Sequence, residues 1–217
     1  MNLPNYITLS RIAAIPVLLW VLRTHLLAGG DGRRELVAAA IFIAASATDG
    51  LDGWLARKRN QITPLGMLLD PLADKLWIAA AFISLVQFNP AMVPAWIAVL
   101  IIAREFLVSG LRSIAAQQGF TIEASDLGKF KMLVQIVTVV GALLDRRWFQ
   151  WEFGPVIVPI HWIAKVTIWI MVVLSLWSAA DYFYAFWSRI SQSVEKRRRR
   201  RAFVLSRRRK TDDVAAT

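Results

Sequence analysis

The sequence predicts an all-α integral membrane protein with six transmembrane helices, and three observations carry that prediction. Of its 217 residues, 57% are hydrophobic, and the mean hydropathy of +0.48 is far above that of an ordinary soluble domain. The apolar residues fall into six stretches of roughly 20, the length that crosses a bilayer core of about 30 Å. The breaks between them are marked by Gly-, Pro- or charge-bearing segments such as Gly29 to Gly32, Arg57 to Pro64 and Asn89-Pro90. No cysteine is present, which excludes disulfides, thiolate metal ligands and cysteine nucleophiles.

The net charge of +11 would fit nucleic-acid binding if it were spread over a folded surface. Ten of the 26 basic residues instead lie in two runs, Lys196 to Arg201 and Arg207 to Lys210. With the rest of the chain in lipid, no nucleic acid is expected as a partner. Two regions follow: residues 1–190 as a six-helix transmembrane catalytic domain, and 191–217 as a basic, disordered cytoplasmic tail. Attraction to anionic lipid of about 1 kcal/mol per nearby Lys or Arg makes the tail a surface anchor.

The N-terminus lacks the basic region and small-residue cleavage site of a secretory signal, so it reads as a short interfacial lead-in and a retained first helix. Arg11 and Arg23 bracket the apolar run Ile12 to Leu22 and are expected to snorkel to opposite interfaces. Pro16 kinks this helix. After a turn at Gly29, Gly30, Asp31 and Gly32, the second helix covers Leu36 to about Leu55, rich in small residues that favour close packing in lipid. A polar loop from Arg57 to Pro64 leads to the third helix, which begins near Leu65 or Leu68 and ends where Asn89 and Pro90 break it.

The fourth helix covers about Val93 to Ala116. The fifth runs from Lys129 to about Leu144. Trp148 to His161 reads as a re-entrant or interfacial loop, and the sixth helix as about Trp162 to Trp187. Because spans alternate in direction, the end of helix two, the start of three, the end of four and the start of five share one side of the membrane. Arg57, Lys58, Arg59 and the tail join them there. The positive-inside rule makes that side cytoplasmic, with both termini inside and the protein in the cytoplasmic membrane. Arg33, Arg34, Arg146 and Arg147 fall on the opposite side.

The chemistry gathers between residues 49 and 74. On helices, Asp49 and Asp52 are i and i+3, and Asp70 and Asp74 are i and i+4, so each pair shares a face. Four carboxylates on two facing stripes would repel one another, and divalent cations with hard oxygen ligands are the usual remedy. A salt-bridged turn using Arg57, Lys58 and Lys75 is the plainer alternative. Intramembrane acids are nonetheless rare, costly and functional by default. Gly53, Ala56 and Gly66 leave bare backbone beside the acids where a flat ligand can approach, and Arg57 can pair with phosphate.

A second, cationic cluster stands nearby. Arg104 and Arg112 are eight residues apart, about two turns and so on roughly one helix face, and Lys129 and Lys131 open the neighbouring helix. An anion site beside a metal site reads as two phosphate-bearing substrates. Glu105 can pair with a neighbouring arginine. His25 and His161 lie at the opposite boundary and are not assigned to metal, while the Trp residues read as interface anchors.

Asp49, Asp52, Gly53, Ala56, Arg57, Gly66, Asp70 and Asp74 match D-x2-D-G-x2-A-R-x8-G-x3-D-x3-D at every position. This pattern resembles the CDP-alcohol phosphotransferase family. The resemblance implies six transmembrane helices, usually as a homodimer, and transfer of a phosphatidyl or related group from a CDP-linked donor to an alcohol with release of CMP. It also implies that Asp49, Asp52, Asp70 and Asp74 bind divalent metal, two Mg2+ or Mn2+ ions, with Asp74 as the base that takes the acceptor hydroxyl proton. Gly53, Ala56, Arg57 and Gly66 would lie against the CDP moiety.

Other segments narrow the resemblance. Pro4 to Arg11, PNYITLSR, is similar to the family pattern PN-x-LT-x2-R with Ile7 in the Leu position, which implies a donor-side role for Asn5. REFLVSGLR (Arg104 to Arg112) and LGKFK (Leu127 to Lys131) are similar to the branch whose donor is CDP-diacylglycerol and whose acceptor is glycerol 3-phosphate. The acceptor phosphate would then be held by Arg104, Arg112, Lys129 and Lys131. Met132 stands where that branch has Thr. Inositol phosphate and phosphatidylglycerol are the alternative acceptors. A divalent-cation channel or transporter is the alternative of another class, but it leaves Gly53, Ala56, Arg57 and the cationic cluster without a role.

Overall fold

The computed structural model describes residues 3–24, 31–59, 64–118, 120 and 127–215, with side chains described at 8–24, 31–48, 69, 71–118, 120, 130–152 and 154–190. Among the described residues six helices follow one another: α1 (Leu3–Arg23), α2 (Arg33–Arg59), α3 (Pro64–Phe88), α4 (Ala95–Gln117), α5 (Leu127–Asp145) and α6 (Ile160–Ala215). A two-stranded antiparallel hairpin, β1 (Trp151–Phe153) and β2 (Val156–Val158), stands between α5 and α6. Two helices are long and apolar enough to cross a membrane over described residues, in the stretches Pro71–Phe88 and Ile160–Ile190.

The chain divides into two compact units. The first comprises Met1–Phe106 and Ala124–Leu176, and the second Leu107–Glu123 and Trp177–Thr217. Within the first, α1 packs on α2 and α3, and α5 on the same two helices. Its core holds Leu18, Phe42, Trp77, Phe82, Leu85, Ile101, Leu143, Ile168 and Met171, all almost wholly buried. Many large apolar residues point outward instead, among them Trp20, Ile83, Trp96, Val99, Leu133 and Trp169. Helices apolar on the inner and outer faces alike are built for lipid. In the second unit, Phe120 of the α4–α5 connection and Phe186 of α6 stand with ring centroids 6.3 Å apart.

Close backbone approaches set the packing. A Cβ on Gly141 of α5 would lie 3.1 Å from the Ala164 Cβ of α6, so α5 and α6 meet through small residues. Gly32, at φ +78°, turns the chain into α2 and accepts the first bond of that helix from Leu36 N at 3.1 Å. A Cβ there would sit 2.2 Å from the Trp148 ring, so this position requires glycine for its dihedral and for its space alike.

Four details differ from the sequence-based expectation. The N-terminal lead-in is helical from Leu3. Arg11 is 1% exposed and turned into the protein rather than snorkelling, while Arg23 is exposed. The segment after α5 is a hairpin whose tight Gly154-Pro155 turn has Gly154 at φ +60°, the first central position that a type II′ turn reserves for glycine. The tail, expected to be irregular, continues α6 as helix to Ala215. Its Arg, Lys, Glu and Leu residues are good helix formers, and an existing helix spares them the cost of nucleation.

Candidate active site

The motif spans the end of α2 and the start of α3. Asp49, Asp52, Gly53, Ala56 and Arg57 all lie on helical backbone in α2, and Gly66, Asp70 and Asp74 on helical backbone in α3, as the i,i+3 and i,i+4 reading requires. The side chains of Asp49, Asp52, Gly53, Ala56, Arg57, Gly66 and Asp70, with those of Asn5 and Lys129, lie outside the described residues. Asp74 is described and exposed.

What fixes α2 against α3 lies one turn inward. Trp77, three residues after Asp74, donates its indole N–H to the Ser46 hydroxyl at 3.2 Å, and Ser46 stands three residues before Asp49. The Trp77 ring also stacks on Phe42, with centroids 5.4 Å apart and an interplanar angle of 13°. All three side chains are buried, so the contact that registers the two helices is apolar with one satisfied polar pair.

The cationic cluster is partly assembled in the first unit. One oxygen of Glu105, Oε1, accepts from Arg104 Nη1 at 3.0 Å and from Lys131 Nζ. The cluster thus joins α4 to α5. Arg104 and Lys131 are largely buried, with side chains 10% and 14% exposed. Asp74 and Lys75 of α3 lie close enough to Glu105 to act on it electrostatically. The last carboxylate of the motif and the cation pair therefore belong to a single unit, each within electrostatic reach of Glu105.

Arg112 belongs to the second unit. There it donates to the Tyr182 hydroxyl, and its guanidinium lies 4.9 Å from the Tyr182 ring centroid. Tyr182 is 5% exposed. Neither Tyr182 nor the bridging role of Glu105 was read from sequence. The only available signal was the i,i+1 pair Arg104-Glu105, which is ordinary on helix surfaces.

The opposite ends of these helices carry a different polar cluster. Asp145, closing α5, takes His161 Nδ1 at 2.7 Å on one oxygen and Asn89 Nδ2 at 3.0 Å on the other. His161 also stacks on Phe149 at 4.8 Å. Arg146 donates to the Phe88 carbonyl at 2.6 Å, and the guanidinium groups of Arg146 and Arg34 lie 4.3 and 5.0 Å from the Phe88 ring centroid. Cations at the C-terminal end of α3 complement its exposed carbonyls. His161 is thus a structural partner of Asp145.

The motif's donor set suits a hard divalent cation, being four carboxylates with no cysteine or histidine within the stretch. Among the described residues no group of three or more acids or histidines is brought together, since Asp74 alone of the four has a described side chain.

The fold and these two clusters place the protein in one class. The chain belongs to the CDP-alcohol phosphatidyltransferase family, whose sequence profile matches residues 1–177. Among individual proteins it is similar to the CDP-diacylglycerol–glycerol-3-phosphate 3-phosphatidyltransferase of Bacillus subtilis, with 41% identity over 203 residues, covering 88% of this chain and 98% of that protein. The enzyme of the same name from Rickettsia bellii is 35% identical over 185 residues, 85% of this chain and 94% of that protein. In fold, the chain resembles the crystal structure of Mycobacterium tuberculosis phosphatidylinositol phosphate synthase in complex with manganese and citrate. That likeness has a TM-score of 0.60 at 19% identity and covers 86% of this chain and 83% of that one. Together with its apolar helices, this marks the chain as an all-α, multi-pass membrane protein.

Proposed function

We propose that this chain catalyses the metal-dependent transfer of the phosphatidyl group from CDP-diacylglycerol to glycerol 3-phosphate, forming phosphatidylglycerol phosphate and CMP. The observation that carries the acceptor side is the Arg104–Glu105–Lys131 cluster within electrostatic reach of Asp74. A phosphorylated alcohol bound to those cations presents its hydroxyl toward the last carboxylate of the motif. Two relatives sharing a third or more of their residues with this chain bear the name of that reaction.

In this reading Asp49, Asp52, Asp70 and Asp74 hold the divalent ions, two Mg2+ or Mn2+. Bound there, the metal would neutralise charge on the pyrophosphate and on the departing CMP. Asn5, Gly53, Ala56, Arg57 and Gly66 seat the CDP moiety, the small residues by giving clearance and Arg57 by pairing with phosphate. The acceptor hydroxyl oxygen attacks the phosphorus that bears the diacylglycerol. The bond from that phosphorus to the bridging oxygen breaks, CMP leaves with the electron pair, and the hydroxyl proton passes to Asp74. Arg104, Lys129 and Lys131, with Arg112 further along α4, supply the charge that selects a phosphorylated acceptor. Alignment must contribute much of the rate, because a carboxylate beside metal is a weak base.

Six spans, both termini and the motif on the cytoplasmic side of the cytoplasmic membrane, a homodimer, and a tail that holds anionic lipid complete the proposal. Family membership and the positive-inside distribution support these features. The test is acceptor-dependent CMP release by purified protein supplied with CDP-diacylglycerol, Mg2+ or Mn2+, and a panel of glycerol 3-phosphate, inositol phosphate and phosphatidylglycerol. Turnover with glycerol 3-phosphate alone is expected.

A further inference from the structure

Lys131, Gln135 and Thr138 lie at i, i+4 and i+7 on α5, a single stripe running inward from the cation cluster. Gln135 is 7% exposed and Thr138 fully buried. The Gln135 Nε2 and Thr138 Oγ1 atoms are buried, and neither has a hydrogen-bond partner among the described residues. Three other helical hydroxyls bond back to their own helix, Ser84 to Ala80 O at 2.6 Å, Thr167 to Ile163 O at 2.8 Å and Thr48 to Ala45 O at 2.7 Å, while Ser175 Oγ on α6 is, like Thr138, buried without a partner among the described residues. Thr138 makes no such bond back to the preceding turn, so this stripe differs from the usual treatment of a polar group inside a membrane helix. Buried donors without acceptors are rare because each forfeits its hydration for nothing, and an amide left so beside a binding cluster points to a ligand oxygen.

Resting on the glycerol 3-phosphate reading, we propose that Gln135 is a specificity-determining residue that donates from Nε2 to the C2 hydroxyl of the acceptor, the hydroxyl that does not react. The two α5 positions are one turn apart, a rise of about 6 Å. That is the reach over which a three-carbon phosphate ester presents its phosphate to Lys131 and its backbone oxygens to the next turn. Lys131 reads the phosphate, Asp74 takes the proton of the attacking hydroxyl, and Gln135 fixes the carbon chain between them. An acceptor without the C2 oxygen would leave the amide buried and unpaired, the arrangement by which a polar site rejects a deoxy analogue most strongly.

The test combines a variant with a substrate analogue, using the full-length protein in detergent. Gln135→Met removes the donor at nearly constant volume, and 3-hydroxypropyl phosphate is glycerol 3-phosphate without the C2 hydroxyl. The variant is expected to raise the glycerol 3-phosphate KM about ten-fold, the effect of one hydrogen bond to a buried group. The CDP-diacylglycerol KM and the midpoint of thermal unfolding should stay close to wild type. With 3-hydroxypropyl phosphate, wild type and variant should become equal, because the partner of Gln135 is gone from the substrate. An acceptor KM unmoved by the variant overturns the proposal and leaves an internal water as the partner of the amide. A rise in the donor KM instead overturns it in favour of the donor's glycerol esters. If Gln135→Met fails to fold, wild type alone decides: equal kcat/KM for the acceptor and its deoxy analogue overturns the assignment. Wild-type protein that releases no CMP with glycerol 3-phosphate removes the functional reading and this inference together, whereas turnover without an acceptor-selective effect removes only the role of Gln135.

Discussion

The indole N–H of Trp77 donates to the Ser46 hydroxyl at 3.2 Å, joining α3 to α2 one turn beneath the acidic motif. Ser46 precedes Asp49 by three residues and Trp77 follows Asp74 by three, so the bond sets the register between the two acidic stripes. Trp77→Phe keeps an aromatic ring against Phe42 but leaves the buried Ser46 without its donor. It should cost about 1 to 2 kcal/mol and lower kcat. Trp77→Ala should cost about 3 to 5 kcal/mol through the cavity it opens. Thermal unfolding in detergent, paired with CMP release, checks both; a Trp77→Phe protein with wild-type stability and rate would show that the bond does not set the register.

Glu105 holds Arg104 and Lys131 on one oxygen. Glu105→Ala leaves two largely buried cations without that carboxylate and frees them to move. The acceptor KM should rise several-fold with a much smaller change in the donor KM, alongside a loss of stability. Because the carboxylate is 21% exposed, solvent screens part of this loss, and it should fall below the roughly 3 to 5 kcal/mol of a fully buried broken pair. Initial rates against each substrate in turn separate the two effects. Equal changes in both KM values would show a general structural role.

Gly32 combines a left-handed backbone with contact against Trp148. Gly32→Ala should destabilise the protein by at least about 1 to 3 kcal/mol, from the strained dihedral alone, with a further cost from displacing the indole. Gly32 begins the helix that ends in the motif, so the loss should appear in the unfolding midpoint while the KM values of the surviving fraction stay near wild type. A midpoint unchanged by the substitution would contradict the close approach.

Much of the fold was legible because a membrane imposes length and composition together, so among the described residues the six apolar stretches became helices with ends within a few residues of those expected, except the C-terminal end of α6. What escaped had no such signature. A run of arginines and lysines looks alike whether solvated or helical, and α6 carries it on as helix to Ala215. Strands of three residues are too short for a period-two pattern, and only the Gly154-Pro155 pair between aromatic and β-branched residues marked the hairpin. Arg11 read as a snorkelling cation because hydropathy cannot tell a charge facing the protein interior from one facing the headgroups. In the candidate site, chain spacing was enough to set the acids on helical stripes. The sharing of Glu105 by two cations, 26 residues apart in the case of Lys131, depends on how α4 meets α5 and has no sequence signal.

Removing the basic runs should expose their partner. Deletion of Lys196 to Lys210 should weaken association with anionic vesicles at low salt more than at high salt, since the Debye length falls from about 30 Å at 0.01 M to about 10 Å at 0.1 M. Vesicle flotation across a salt series measures it. Equal loss at every salt concentration would assign the segment a packing role.

The motif should behave as a single catalytic unit. Asp74→Asn keeps the shape and an oxygen donor but removes the base, so turnover should fall by at least about 100-fold, while CDP-diacylglycerol binding remains. Single-turnover CMP release and donor binding by the same preparation separate the two. A near-normal rate would show that another group takes the proton.

The most direct measurement of the central claim follows CMP release by the purified, full-length protein with CDP-diacylglycerol and Mg2+ or Mn2+, with and without glycerol 3-phosphate, before and after chelation. The account predicts release that requires glycerol 3-phosphate, stops on chelation and returns when metal is restored. CMP release that is independent of glycerol 3-phosphate, or unaffected by chelation, would contradict it.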